Sequence, residues 1–242
     1  MFKSYLSLLL AAHILGDFYF QTNNLSSKKE KCYRYIVFHS LVYSVVVFAC
    51  AIPVFSATLL LAMGVLAISH FAIDSLKYYS IQKNVRSDIV YITDQILHLV
   101  LIVAIASIIT RYGIEITLMP SIKSYLSIIN VNYLFAFKWI GLTLAICKPI
   151  NITIKEAIAK YRPEEGDSET IDNAGSLIGS LERIIISILI GLGNYSAIGF
   201  VLTAKSVARY GKISESQKFA EYYLIGTLLS TLSAIVIYFI FM

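Results

Sequence analysis

Apolar and polar positions fall along this chain in long blocks. Eight apolar blocks lie near residues 4–22, 34–53, 56–79, 88–110, 132–150, 174–192, 194–210 and 218–241. Crossing a bilayer takes roughly 17–25 predominantly apolar residues, and each block approaches or reaches that length. The expected fold is therefore all-α, a polytopic transmembrane helix bundle of about eight spans. The sixth and seventh blocks are short and joined by "GLGNYS", which suits a tight hairpin. The stretch "RYGIEITLMPSIKSYLSIIN" with Val131, residues 111–131, separates two groups of four blocks. The expected organisation is a four-span membrane region over 1–112, a linker or interfacial helix over 113–131, and a second four-span region over 132–242. The longest polar stretch, "YRPEEGDSETIDNAG" at 161–175, reads as a solvated loop.

Composition sharpens this picture. Of the 242 residues, 57% are hydrophobic and only 14% charged, whereas a soluble domain carries about 25% charge. Mean hydropathy is +0.73. The net charge of +5 is spread over short loops and forms no polybasic arm, so it reads as a topology signal and not as a nucleic-acid footprint. Lys28, Lys29, Lys31 and Arg34 mark the first loop, Lys77, Lys83 and Arg86 the third, Lys155, Lys160 and Arg162 the fifth, and Lys205, Arg209, Lys212 and Lys218 the seventh. Even-numbered loops hold almost none. Odd-numbered loops are then cytoplasmic and both termini lie outside. Cys32, Cys50 and Cys147 show no metal-finger spacing and read as free thiols. The first block carries His13 and Asp17 and is followed by no small-residue cleavage site, so it reads as a membrane span and not as a signal peptide.

The chemistry lies inside these blocks. All four histidines, His13, His39, His70 and His98, fall in the first four. Three pair with an aspartate one helical turn away: His13 with Asp17, His70 with Asp74, and, in reversed order, Asp94 with His98. The reversal matches the topology, because the fourth span runs opposite to the first and third. At about 1.5 Å per residue, His13, His70 and His98 fall roughly 12–15 Å from the cytoplasmic helix ends. By the same rise, Asp17, Asp74 and Asp94 fall roughly 6–9 Å from those ends, with His39 at their level. The expectation is two stacked layers, one of imidazoles and one of carboxylates with a fourth imidazole. A charge in the bilayer costs roughly 2.5–3.5 kcal/mol, so such groups must pair, meet water or bind an ion. Imidazole and carboxylate are ligands for divalent metals, zinc foremost. One ion with supporting carboxylates and two ions bridged by a carboxylate both fit the residues, and so does a hydrogen-bond network without metal.

The second half has its own polar groups. "GSLIGSLER" pairs Gly175 and Gly179, a close-packing motif, with Glu182 and Arg183. Lys205 and Arg209 lie four apart near the cytoplasmic end of the seventh block, and Glu221 near the start of the eighth. With Gln21, these are the candidate substrate-binding residues, Lys205 and Arg209 holding an anionic group such as phosphate. The competing reading is Glu–Lys and Glu–Arg pairing plus headgroup contacts. The chain contains no Gly-rich phosphate loop, no G-x-S-x-G and no H-E-x-x-H.

The motifs "HILGDFYFQT", "HS" at 39–40, "HFAIDSLK" and "DQILHL" resemble those of the DUF3307 family of bacterial membrane proteins, over about residues 8–100. The segment from "GSLIGSLERI" to "KFAEYYLIGT" resembles the region C-terminal to this domain in longer members. The resemblance implies a location in the bacterial inner membrane and carries no assigned activity. In style the His/Asp pattern is also similar to membrane-bound metal-dependent hydrolases of the DUF457 type. The leading expectation is a membrane-embedded, metal-dependent hydrolase. His13, His39, His70 and His98 would be ligands, Asp17, Asp74 and Asp94 would complete or support coordination, and Asp94, or Asp74 in exchange, would act as general base. The partners would be the bilayer and a lipid or phosphate-containing substrate. A divalent-cation or proton transporter and a membrane scaffold are the alternatives. Composition and spacing leave the oligomeric state open.

Overall fold

The structure is a computed structural model that describes residues 1–54, 56–112, 117–128, 130, 132–163 and 174–242. Every element among the described residues is helical. Six helical segments among the described residues, Tyr33–Val54, Ala57–Gln82, Ser87–Arg111, Tyr133–Ala157, Ala174–Gly191 and Gln217–Phe241, are long and apolar enough to cross a membrane. Much of the 161–175 stretch expected to be a solvated loop, and part of the 111–131 linker, lie outside the described residues.

The chain divides into two compact units, Met1–Gly141 and Leu142–Met242. In the first unit, α1 (Phe2–Ile14) continues without a break into a π-helical turn, Leu15–Tyr19. Next come α2 (Asn23–Lys31), α3 (Tyr33–Ala51), α4 (Ala57–Gln82), α5 (Ser87–Arg111) and α6 (Pro120–Ile128), and α7 (Tyr133–Ile146) straddles the division. Local chemistry sets several boundaries. Thr22 accepts from the Leu25 amide to start α2, and Ser56 accepts from the Leu59 amide to start α4. Between the first two apolar blocks the sequence suggests only a basic loop. The structure has a capped, strongly basic short helix there, whose polarity keeps it out of any pattern of apolar blocks.

α1 packs against α3 and α5, α3 against α4, and α4 against α5, closing a ring of four helices. α2 lies against α3 and α4. The inward faces follow helical spacing: Ile36, His39, Tyr43 and Val47 on α3, Leu59, Met63, Leu66, His70 and Asp74 on α4, and Val90, Asp94, His98, Ile102, Ile105 and Ile109 on α5. The outward faces are apolar as well. Val45 is 71% exposed and Leu61 and Ile68 are each 73% exposed, whereas His39 and His70 are 0% exposed on the same helices. So apolar an outer surface around buried imidazoles and carboxylates suits lipid as the solvent. Several hydroxyls along these helices bond within their own helix, as when Ser75 and Thr110 donate to the carbonyls of Phe71 and Ala106.

The second unit holds the end of α7, α8 (Lys148–Ala157), α9 (Ala174–Gly191), α10 (Tyr195–Ala208), α11 (Tyr210–Glu215) and α12 (Gln217–Phe241). α9 packs against α8, α10 and α12, and α8 and α11 also contact α12. Ile186, Ile190 and Ala234 form an apolar core cluster, and polar groups are buried in the unit as well. Arg183 is 1% exposed and donates to the Ile146 carbonyl, the Ser230 hydroxyl and the Asn151 side-chain oxygen.

Candidate metal centre

Four helices and the π-helical turn deliver the site. His13 ends α1, and the π-helical turn, closed by the Phe20 amide on the Leu15 carbonyl at 2.9 Å, presents Asp17. Such single-turn insertions re-aim side chains and recur at functional sites. α3 supplies His39, α4 supplies His70 and Asp74, and α5 supplies Asp94 and His98. All seven side chains are buried.

The structure brings these seven together. His70 Nδ1 and His98 Nε2 are 2.8 Å apart, and His39 Nε2 and His70 Nε2 are 3.1 Å apart. The His13 ring stacks on that of His98 with centroids 4.8 Å apart. Asp17 Oδ1 lies 3.3 Å from His39 Nε2 and 3.9 Å from His70 Nε2. Asp74 Oδ2 lies 3.7 Å from each of those two nitrogens. Three groups of donor atoms have the compactness that a metal ion requires: His13, His70 and His98; Asp17, His39 and His70; and Asp74, Asp94 and His98. The donor chemistry, imidazole with carboxylate, fits a divalent transition metal.

Three further residues complete the site. The Lys29 ammonium donates to Asp74 Oδ2 at 2.7 Å, and the Lys77 ammonium to Asp94 Oδ2 at 3.0 Å. In the sequence Lys29 stands out only as a topology marker, yet it is buried. Tyr43 stacks on His70 with centroids 3.7 Å apart and planes 7° from parallel, and its hydroxyl is 3.0 Å from His13 Nδ1. The signals for two of them are local. Tyr43 stands four residues after His39 and Lys77 three after Asp74, on the same helical faces.

A small pocket of about 20 Å³ reaches Asp74 between Lys29 and Lys77, with Ser26 and Tyr78 on its wall. It has room for about one water. On the other side of the imidazoles the buried side chains are almost all apolar: Leu9 and Ala12 on α1, Val47 on α3, Leu66 and Met63 on α4, and Ile102 and Ala106 on α5.

The remaining candidates fall elsewhere. Gln21 is half-buried just beyond the π-helical turn. Lys205 Nζ pairs with Glu182 Oε2 at 2.6 Å and donates to Thr227 at 3.3 Å, which is the Glu–Lys pairing of the competing reading. Arg183 is engaged as described above. Arg209 ends α10, and Glu221 accepts from Gln217 at the surface.

No curated protein and no solved structure matches the chain. The profile of the family described as "Protein of unknown function (DUF3307)" matches residues 5–127, which contain all seven His and Asp side chains and Lys29, Tyr43 and Lys77. The chain belongs to the DUF3307 family.

Proposed function

We propose that this protein is an integral membrane, metal-dependent hydrolase whose ion, zinc by preference, sits in the His/Asp cluster of the first unit. The observation that carries the reading is the burial of four imidazoles and three carboxylates in one cluster, of which Asp74 lines a small pocket. A pocket that reaches one carboxylate of the cluster suits chemistry beside a fixed ion. When bound, the ion supplies Lewis acidity that brings the pKa of a water toward about 7. The chain's own residues do the rest. Asp94 or Asp74, each with a lysine ammonium beside it, would accept the water's proton. Lys29 and Lys77 line the pocket and would be the cations nearest an anionic or lipid-linked substrate there. Lys205 and Arg209 are kept as proposed anion-holding groups of the second unit.

The proposal includes eight spans, a bacterial inner-membrane location, odd-numbered loops in the cytoplasm and both termini outside. A second reading, transport of protons or divalent cations, is favoured by one observation. His39, His70 and His98 form a chain of ring-to-ring contacts, as in proton relays. The apolar backing of the chain argues against a path through.

Elemental analysis of detergent-purified wild type and His70→Ala is the first test, with metal expected in wild type and lost in the variant. Asp94→Asn should retain metal yet lose turnover by about 10²–10⁴-fold on a phospholipid, polyprenyl-phosphate or ester substrate. Wild type that moves cations or protons across sealed vesicles and cleaves nothing in that panel would replace the hydrolase reading with transport.

A further inference from the structure

We infer that the first unit holds a single divalent ion on Asp17 Oδ1, His39 Nε2 and His70 Nε2, with His98 as a positioning residue and the fourth coordination position facing Asp74. The inference rests on the metal-dependent reading above and selects among the residues it leaves open.

The selection comes from where the protons are. A backbone carbonyl only accepts. The carbonyl of Asp94 lies 2.9 Å from His98 Nδ1, so that nitrogen carries hydrogen. In neutral His98, Nε2 is then a lone pair. It lies 2.8 Å from His70 Nδ1, which must therefore donate. Neutral His70 is left with a lone pair on Nε2, aimed at the space it shares with His39 Nε2 and Asp17 Oδ1. Metal-bound imidazoles are commonly fixed this way, the far N–H held by a carbonyl, carboxylate or another polar group. Here the anchor is the Asp94 carbonyl, relayed through His98.

The three donor atoms are separated by 3.1, 3.3 and 3.9 Å. Ligands about 2.0–2.2 Å from a tetrahedral ion stand about 3.3–3.6 Å apart, so the triangle needs only small adjustment. In the structure, His39 Nε2 is the group able to place a hydrogen between the His70 lone pair and Asp17. His39 Nδ1 is buried with no hydrogen-bond partner among the described residues, so the proton can move there when an ion takes its place. Asp74 Oδ2, 3.7 Å from both imidazole nitrogens, borders the fourth position and the pocket.

Neither of the other two groups has all of its donors free, although Asp94 Oδ1 has no hydrogen-bond partner among the described residues. In the His13, His70, His98 group, His70 Nδ1 and His98 Nε2 are spent on each other, and His13 Nδ1 meets the Tyr43 hydroxyl. In the Asp74, Asp94, His98 group, each carboxylate already holds an ammonium, and both His98 nitrogens are engaged. With neutral imidazoles, Asp17 is the one carboxylate of the three with no lysine on it. It is therefore the carboxylate whose oxygen is least committed to a cation of the chain.

The test uses full-length protein in detergent, equilibrium dialysis against Zn²⁺, and the cobalt(II) visible spectrum as a report on geometry. Wild type should bind one ion per chain. Asp17→Asn, His39→Gln and His70→Gln should each weaken binding about 100-fold or more, while His13→Gln and Asp94→Asn stay within a few-fold. His98→Gln should keep the stoichiometry, weaken affinity about 10–100-fold and alter the cobalt spectrum, as loss of an orienting partner does. Should the ligand variants fail to fold, X-ray absorption of zinc-loaded wild type decides, with two imidazoles expected around the ion. Two ions per chain, three or four bound imidazoles, or an Asp17→Asn variant that binds like wild type would overturn this assignment and leave the metal-dependent reading intact. Wild type that takes up neither Zn²⁺ nor Co²⁺ would overturn both.

Discussion

Tyr43 is the side chain on which the candidate centre leans. Its ring lies flat on His70 and its hydroxyl meets His13, so it fixes the orientation of one imidazole and the position of another. It reaches them because Gly16 has no side chain. A Cβ added at Gly16 would stand 2.6 Å from Tyr43 Cδ2, with the aromatic ring pinned behind it. Gly16→Ala should therefore displace the ring, costing about 1–3 kcal/mol as overpacking does. The check is thermal unfolding in detergent, where an unchanged midpoint would show that Tyr43 has room to yield. At this scale the sequence is legible where side chains announce themselves. Histidine and aspartate are rare in apolar blocks, and their four-residue spacing places each pair on one face. Lys29 and Lys77 do not stand out, because lysine near a membrane end has a sufficient ordinary explanation in topology. Whether its ammonium turns outward to water or inward to a buried carboxylate depends on a tertiary contact that spacing does not encode. Tyr43 is hidden for a similar reason, since tyrosine is abundant in this chain and usually anchors the membrane interface.

Elements carry the next layer of information. The reversed order of Asp94 and His98 on α5, relative to His70 and Asp74 on α4, is what two antiparallel neighbours need to present like groups to each other. That much is readable from spacing and direction. The π-helical turn at Leu15–Tyr19 is not, because one extra residue per turn leaves no mark in composition. Nor is the interruption between α7 and α8. Pro149 removes the amide that a tightened last turn would direct at the Ile146 carbonyl. Arg183 Nε instead donates to that carbonyl from α9, while its other nitrogens reach Ser230 on α12 and Asn151 on α8. By sequence, "GSLIGSLER" is a packing motif beside a candidate substrate-binding arginine, and the structure uses that arginine to tie four helices. Arg183→Lys keeps the charge and loses the planar fork, so most of these bonds cannot re-form. The expected cost is about 2–3 kcal/mol of stability, the scale of a buried carbonyl and amide left partly unpaired. Amide hydrogen exchange should rise first around residues 146–151. Unchanged protection there would show that the junction is held by packing alone.

Across the whole molecule, the all-helical architecture is dictated by the apolar blocks, because a backbone in lipid must satisfy its own hydrogen bonds. The number of crossings is harder to read. Six segments are long and apolar enough to cross, one of them α7 and α8 taken together, while α1 needs its π-helical turn to reach residue 19 and α10 has 14 residues. At about 1.5 Å per residue, α10 spans about 21 Å, short of the roughly 30 Å hydrocarbon core. Either the bilayer thins locally, at a fraction of a kcal/mol per Å, or α10 enters and does not cross. The basic residues argue for crossing. Arg209 caps α10, Lys212 lies on α11 and Lys218 begins α12, all beyond the end reached from "GLGNYS". If all eight segments cross, both termini share one side. If α10 does not, they lie on opposite sides. The decisive measurement is impermeant thiol labelling of single cysteines in a chain first freed of Cys32, Cys50 and Cys147. Ser27, Ile52 and Leu192, with residues added beyond Met1 and Met242, are suitable positions, since the three internal sites are exposed. Ser27 should react from the cytoplasmic side, and Ile52, Leu192 and both termini from the opposite one. Labelling of Ser27 and Ile52 from the same side would remove the antiparallel frame behind the His/Asp depth argument. A C-terminus alone on the cytoplasmic side would leave that frame standing and make α10 a re-entrant helix.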